Sequence, residues 1–224
     1  MGPLRWKLLP AFLLGLVWMS LRDPLGLVVA DERTPDDAAP AEPAAVSLTD
    51  LCEDPTGWLG RRVRFTVQFR ALEERWNPGL TRFGAGDWLG FSGWPDERFP
   101  WEVGVFESPM TRLFARRDSA ASVLLSTARP YERFELVATV REVFFDEPWI
   151  EVEAAQPLFE LIGEGTILHV GRAFEFARQA QWELALEQFR RATAAPLPAH
   201  ARRELDAKIA ECTRRRDAGV RARD

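Results

Sequence analysis

Residues 62–71 read RVRFTVQFRA, and their alternation decides the expected fold. From Val63 to Ala71 every second residue is apolar, and the residues between them are polar or charged. A period of two places the apolar side chains on one face of an extended strand and the polar ones on the other. Valine and phenylalanine also suit a pleated surface. The stretch is therefore predicted to be the first strand of a small curved barrel.

The sequence that follows predicts four more strands and one helix. Apolar alternation or glycine spacing marks the strands, at residues 88–94, 101–105, 134–140 and 150–154. Turn-forming residues at 77–79 and 146–148 separate some of them. A helix is predicted between the third and fourth strands, where Asp118 or Ser119 caps an apolar run that ends before Pro130. Three strands, a helix and two strands is the order of a five-stranded Greek-key barrel.

Residues 47–160 resemble the oligonucleotide/oligosaccharide-binding (OB-fold) domains of exported bacterial proteins. The resemblance rests on element order and on the segment before the first strand, a short helix from Ser47 to Glu53 followed by Pro55, Trp58 and Gly60. It implies an α+β protein with a small five-stranded Greek-key, OB-like β-barrel over residues 47–160.

After Gly165 the apolar period changes from two to about 3.6, which indicates helices. The spacing of small and aromatic residues there resembles one tetratricopeptide (TPR) repeat, with Ala180 at the turn where glycine is usual. The residues that carry this resemblance are Ala173, Phe176, Ala180, Trp182, Ala185, Phe189 and Ala192. A third, capping helix is predicted after Pro198, so residues 165–217 are expected to form a three-helix TPR-like segment. The resemblance implies that Phe176, Trp182 and Phe189 contact a protein partner; the alternative is that the helices only pack together or against the barrel.

The N-terminal residues 1–30 are typical of a targeting segment. Arg5 and Lys7 precede an apolar run over residues 8–21, and a cleavage site is predicted after Ala30. The run is shorter than the ~20 residues that span a bilayer. A signal peptide is therefore expected, with an uncleaved N-terminal membrane anchor as the alternative. Residues 31–46 are rich in proline, alanine and acids and are expected to form a disordered linker. The protein is thus predicted to be periplasmic or secreted, or anchored to the membrane by this segment alone.

Aromatic residues are concentrated between residues 76 and 101. Five of them are candidate ligand-binding residues for stacking on a sugar or a base: Trp76, Trp88, Phe91, Trp94 and Trp101. The alternative interpretation is that most of them belong to the barrel core. The net charge of −5 and the acids interspersed among the nearby arginines make nucleic acid the least favoured ligand.

The sequence contains no recognisable catalytic, cofactor-binding or metal-binding motif. Cys52 and Cys212 form no CxxC pattern, so they either make one disulfide or are two separate apolar residues. His169 and His200 have no neighbours at metal-ligand spacing. The sequence therefore favours an exported, non-catalytic binding or scaffold protein that docks a protein partner in the cell envelope. The alternative is a barrel that binds carbohydrate or nucleic acid through its tryptophans, and a divergent enzyme comes third.

Overall fold

The computed structural model describes residues 28–29, 42–76 and 81–221. Most of the predicted targeting segment, most of the acidic linker and the predicted turn at 77–79 lie outside these residues. Within the described ranges, no helix combines the length and the apolar character needed to cross a membrane.

The described chain contains seven strands and six helices. The strands are β1 (Val28–Val29), β2 (Ala44–Ala45), β3 (Arg62–Glu73), β4 (Trp88–Pro95), β5 (Met110–Arg116), β6 (Arg133–Phe144) and β7 (Glu147–Leu158). The helices are α1 (Leu48–Glu53), α2 (Val103–Phe106), α3 (Ala120–Ser126), α4 (Glu164–Arg178), α5 (Trp182–Ala192) and α6 (Ala199–Arg221).

All seven strands belong to one mixed sheet in the order β1-β6-β7-β5-β4-β3-β2. The β2–β3 and β5–β7 pairs are parallel, and the other pairs are antiparallel. The long strand β3 pairs with β6 over residues 62–68 and with β4 over residues 67–73. Because β6 pairs with both β7 and β3, the pairing runs from β3 through β4, β5, β7 and β6 back to β3.

The predicted five-stranded Greek-key, OB-like barrel is wrong, whereas three C-terminal helices are present as α4, α5 and α6. The sheet has seven strands rather than five, and its pairing is mixed. Of the helices before or between the strands, α1 and α3 were predicted and α2 was not. Residues 101–105 were predicted to form the third strand, but Val103–Phe106 form the short helix α2. The strand that follows β4 is β5, at Met110–Arg116.

The misplaced strand has a physical cause. The centre of β5 is buried on both faces: Leu113 and Ala115 belong to the main core, whereas Phe114 belongs to a second cluster on the other side of the sheet. A strand buried on both faces lacks the apolar–polar alternation that was used to find strands. Val103 and Val105 alternate in sequence, but Val103 is 71% exposed and Val105 is buried in a single helical turn.

Several local predictions are confirmed. Strand β3 begins at Arg62 as expected and extends to Glu73. Ser47 caps α1, with its hydroxyl accepting a hydrogen bond from the Asp50 amide at 2.9 Å. Ser119, one of the two predicted caps, caps α3 by accepting from the Ser122 amide at 3.1 Å. These features depend on neighbouring residues alone, which explains why the sequence reveals them.

Buried residues form three clusters. The main core fills the space enclosed by the sheet and includes Phe65, Phe91 and Leu136. An aromatic cluster covers the outside of β4, β5 and β7 and contains Phe83, Trp88, Phe114, Phe144 and Trp149. A third cluster, called here the helical core, joins α4, α5 and α6 and also includes Trp101 from the segment before α2.

The turn between α4 and α5 places a residue other than glycine in a strained backbone conformation. Ala180 has φ 56°, in the left-handed region that favours glycine. The amides of Ala180 and Gln181 donate to the carbonyls of Ala177 and Phe176, the hydrogen-bond pattern of a Schellman motif. The residue at the left-handed position of this motif is usually glycine.

Replacing Ala180 with glycine is therefore expected to stabilise the protein by about 1 kcal/mol, because it relieves the left-handed strain at one Cβ. Urea unfolding of the full chain measures this difference. The control is Ala207→Gly in the middle of α6, where a glycine should destabilise by about 1 kcal/mol. An equal loss of stability in both variants would contradict the role assigned to Ala180.

Candidate functional site

The C-terminal helices form a bundle in which α5 packs against both α4 and α6. Small buried residues permit this approach: Ala173 on α4, Ala185 on α5 and Ala201 on α6. Phe174 and Phe189 fill the space between α4 and α5 with an edge-to-face contact, their ring centroids 5.5 Å apart. Since α4 and α6 lie on either side of α5, a groove remains between them.

This helical groove has a volume of 880 Å³, within the range of small-molecule and peptide-binding clefts. Side chains of α4 and α6 form its walls, and Phe189 and Trp182 of α5 contribute to its lining. Trp101 and Val103, which come from the sheet region, also line it. The site is thus assembled from residues 101–103 of the sheet region and from helical residues between 167 and 215.

A largely buried ion pair connects the segment that carries Trp101 to the link between β7 and α4. Arg133, at the start of β6, donates from Nε and Nη2 to the two carboxylate oxygens of Asp96, each at 2.7 Å. Its Nη1 also donates to the carbonyl oxygen of Glu160, just before α4, at 2.7 Å. The Arg133 and Asp96 side chains are only 9% and 15% exposed. Bidentate pairs of this kind fix geometry as well as charge.

Aromatic stacking continues this connection from Asp96 to the helices. Phe99 stacks on Trp101, with ring centroids 4.5 Å apart and planes at 9°. On the helical side Phe99 also stacks on His200 at the start of α6, at 5.8 Å and 18°. The segment between β4 and α2 is therefore anchored at both ends, and the position of Trp101 in the groove is fixed relative to α6.

The groove has an apolar interior and a charged rim. Its most exposed apolar residues are Leu168, at 53%, and Val103, at 71%. The rim carries four cations, Arg172, Arg178, Lys208 and Arg215, and two anions, Glu175 and Glu211. This is a local excess of two positive charges in a chain whose net charge is −5.

The three residues predicted to contact a protein partner do not all lie in this groove. Trp182 and Phe189 line it, and Phe189 is only 1% exposed, so it forms the floor. Phe176 is half-buried against the helical core and is not among the lining residues. The spacing that resembles a TPR repeat thus identified two of the lining residues and one packing residue.

The five residues predicted to bind a ligand lie in different places. Trp88 is part of the aromatic cluster, Trp76 is half-buried against it, and Phe91 is in the main core. Trp94 is 2% exposed and is stacked between Phe106 and Tyr131, at 5.5 and 5.4 Å. Trp101 alone among the five lines the helical groove. Their burial fits the alternative interpretation, in which these aromatics belong to the interior of the protein.

The cysteines and histidines lie in four different environments, with Cys52 exposed and Cys212 buried. Cys52 and Cys212 are both free thiols. Cys212 lies at the groove, where burial raises the pKa of its thiol, so it remains neutral at pH 7. His169 Nδ1 lies 2.8 Å from the Gln188 side-chain oxygen and joins α4 to α5. Among the described residues, no cluster of histidine, cysteine and acidic side chains is arranged to hold a metal ion.

Sequence reasoning missed the charged and exposed residues of the groove. Leu168, Arg172 and Glu175 recur at helical spacing on α4, and Lys208, Cys212 and Arg215 do so on α6. This periodicity marks one face on each helix. The sequence gives no sign that these two faces lie opposite each other, because that depends on how both helices pack on α5.

Comparison with known proteins identifies no relative: no protein-family model, curated protein or solved structure matches this chain.

Proposed function

We propose that this chain is an exported, non-catalytic binding or scaffold protein that docks a protein partner in the cell envelope through the helical groove. The observation that supports the proposal is the groove itself, which leaves Leu168 and Val103 exposed beside the buried aromatics Trp101 and Phe189. Exposed apolar surface with a polar rim is typical of protein interaction sites. The expected export adds the location, since the N-terminal residues are typical of a targeting segment.

The proposal includes the interpretation of α4 and α5 as a single TPR-like hairpin. A single repeat cannot form the concave surface of a long array. Here α6 supplies the second wall, and Trp101 adds an aromatic side chain from the sheet region. Three helices and one segment of the sheet region thus provide a groove that the hairpin alone lacks.

The alternative function, carbohydrate or nucleic-acid binding through the tryptophans, has no comparable support. Stacking on a sugar or a base requires an exposed ring face. Trp88 and Trp94 are 7% and 2% exposed, so their faces are occupied by the protein itself.

A glycine in the groove offers a sharp test. Gly171 lies on α4 among the lining residues, and a Cβ atom at this position would have no neighbour within 4 Å. Gly171→Leu should therefore fill the groove while it improves helix propensity. We expect partner affinity to fall at least about tenfold, equivalent to ~1.4 kcal/mol, with an unchanged or higher melting temperature. Affinity purification of the tagged full chain from the organism's own envelope fraction measures the loss.

Gly165→Leu is the matched control, because Gly165 lies on the same helix, is equally free of close neighbours and does not line the groove. Both variants should fold, and only Gly171→Leu should lose the co-purifying protein. If the two variants retain the partner equally, the groove is not the docking site.

A further inference from the structure

Building on the proposed docking function, we infer that the groove binds a short acidic segment of a partner protein, with large apolar side chains that enter the groove. The first reason is charge. The rim has four cations and two anions, so it is positive on a protein that is negative as a whole. Complementary charge selects partners and accelerates encounter.

The ion pairs of the rim show which cation is available to a partner. Lys208 lies 3.4 Å from Glu204, which is outside the groove. Glu175 is 3.9 Å from Arg178, and Glu211 is 3.7 Å from Arg215, so each groove carboxylate already has a cation on its own helix. Among the residues the structure describes, Arg172 has no ion pair although its side chain is exposed. Its guanidinium is therefore the group most available to a carboxylate from outside.

The apolar part of the groove indicates which uncharged side chains the partner segment carries. Leu168 and Val103 are exposed, Ile167, Phe174 and Trp182 are half-buried, and all five line the groove. Large apolar or aromatic side chains of a bound segment would remove this surface from water. The lining residues of α4 run from 167 to 178, about 16 Å along the helix axis at 1.5 Å per residue. A segment of roughly 11 residues spans that length if it is helical.

Two other occupants fit less well. A nucleic-acid strand carries a charge on every nucleotide and favours a continuous positive track, whereas this rim has an excess of only two charges interrupted by two carboxylates. A second copy of this chain has a suitable net charge of −5. Its charge alone does not supply apolar side chains to the interior of the groove. Both remain outcomes that the experiment distinguishes.

The test is a selection from a random 12-residue peptide display library on the immobilised full chain, with Gly171→Leu as the counter-selection. We expect the enriched peptides to combine aspartate or glutamate with tryptophan, phenylalanine or leucine. Synthetic versions of these peptides should bind the wild type at least about tenfold more tightly than they bind Arg172→Glu. Raising the ionic strength should weaken their binding to the wild type, because salt screens exposed charges. Arg203→Glu is the control, since Arg203 is exposed on α6 outside the groove and should leave binding unchanged.

The outcomes separate this inference from the function it rests on. The acidic partner would be contradicted if the enriched peptides were basic or uncharged, or if they bound Arg172→Glu as tightly as the wild type. The proposal that the groove docks a protein would not be affected by that result. If Gly171→Leu weakens the binding of no selected peptide, both the acidic partner and the docking groove are contradicted. Tighter groove-dependent binding of a 12-nucleotide oligothymidylate, or a dimer that Gly171→Leu dissociates, would also overturn the inference.

Discussion

Replacing Arg133 with methionine is expected to lower the free energy of unfolding by about 3–5 kcal/mol, the usual cost of breaking a buried ion pair by removing one partner. The substitution leaves the Asp96 carboxylate, only 15% exposed, without its cation. The carbonyl oxygen of Glu160 also loses its 2.7 Å hydrogen bond. Equilibrium urea unfolding of the full chain, followed by circular dichroism, measures the loss.

Arg62→Met is the matched control for this prediction. Arg62 lies in the same sheet and pairs with Glu153 at 2.8 Å, but the two side chains are 36% and 29% exposed. Pairs this accessible contribute about 0–1 kcal/mol. If both variants lose the same amount of stability, the Arg133–Asp96 pair has no special role in joining the sheet to the helices.

Trp94→Ala is expected to destabilise the protein by about 3–5 kcal/mol, the cost of removing a large buried aromatic side chain. The indole is stacked between Phe106 and Tyr131, and its Nε1 donates to the Phe106 carbonyl oxygen at 3.2 Å. Thermal and urea unfolding measure the effect. A ligand-stacking tryptophan would behave in the opposite way, with binding lost and the melting curve nearly unchanged.

Phe159→Ala provides the comparison, because Phe159 is 97% exposed and its removal should change stability by less than about 0.5 kcal/mol. A similarly small change for Trp94→Ala would revive the interpretation of Trp94 as part of a ligand surface.

The sequence predicted local features well because they depend on neighbouring residues. The alternation from Val63 onward corresponds to β3, and the serine caps of α1 and α3 follow from side-chain hydrogen bonds within one turn. The change of period after Gly165 corresponds to α4, which begins at Glu164. Ala180 stands where glycine is usual in a TPR repeat, and its left-handed φ is a conformation that favours glycine.

Features that depend on distant contacts were not predictable in the same way. Strand β5 was missed because Leu113 and Phe114 are buried on opposite faces, which removes the alternation. The two short strands at Val28–Val29 and Ala44–Ala45 carry too few residues for any period. The position of Trp101 beside α4 and α6 follows from the Asp96–Arg133 pair and the stacking of Phe99. No periodicity within one segment contains that information.

The central claim, that the helical groove is the docking surface, is tested most directly by site-specific photo-crosslinking in living cells of the organism that encodes the chain. A photoreactive amino acid at position 168, a 53% exposed leucine that lines the groove, should give one discrete adduct with a partner protein. The same amino acid at position 184, a 44% exposed leucine of α5 outside the groove, should give none. An adduct from position 184 but not from position 168, or no adduct from either, would contradict the claim.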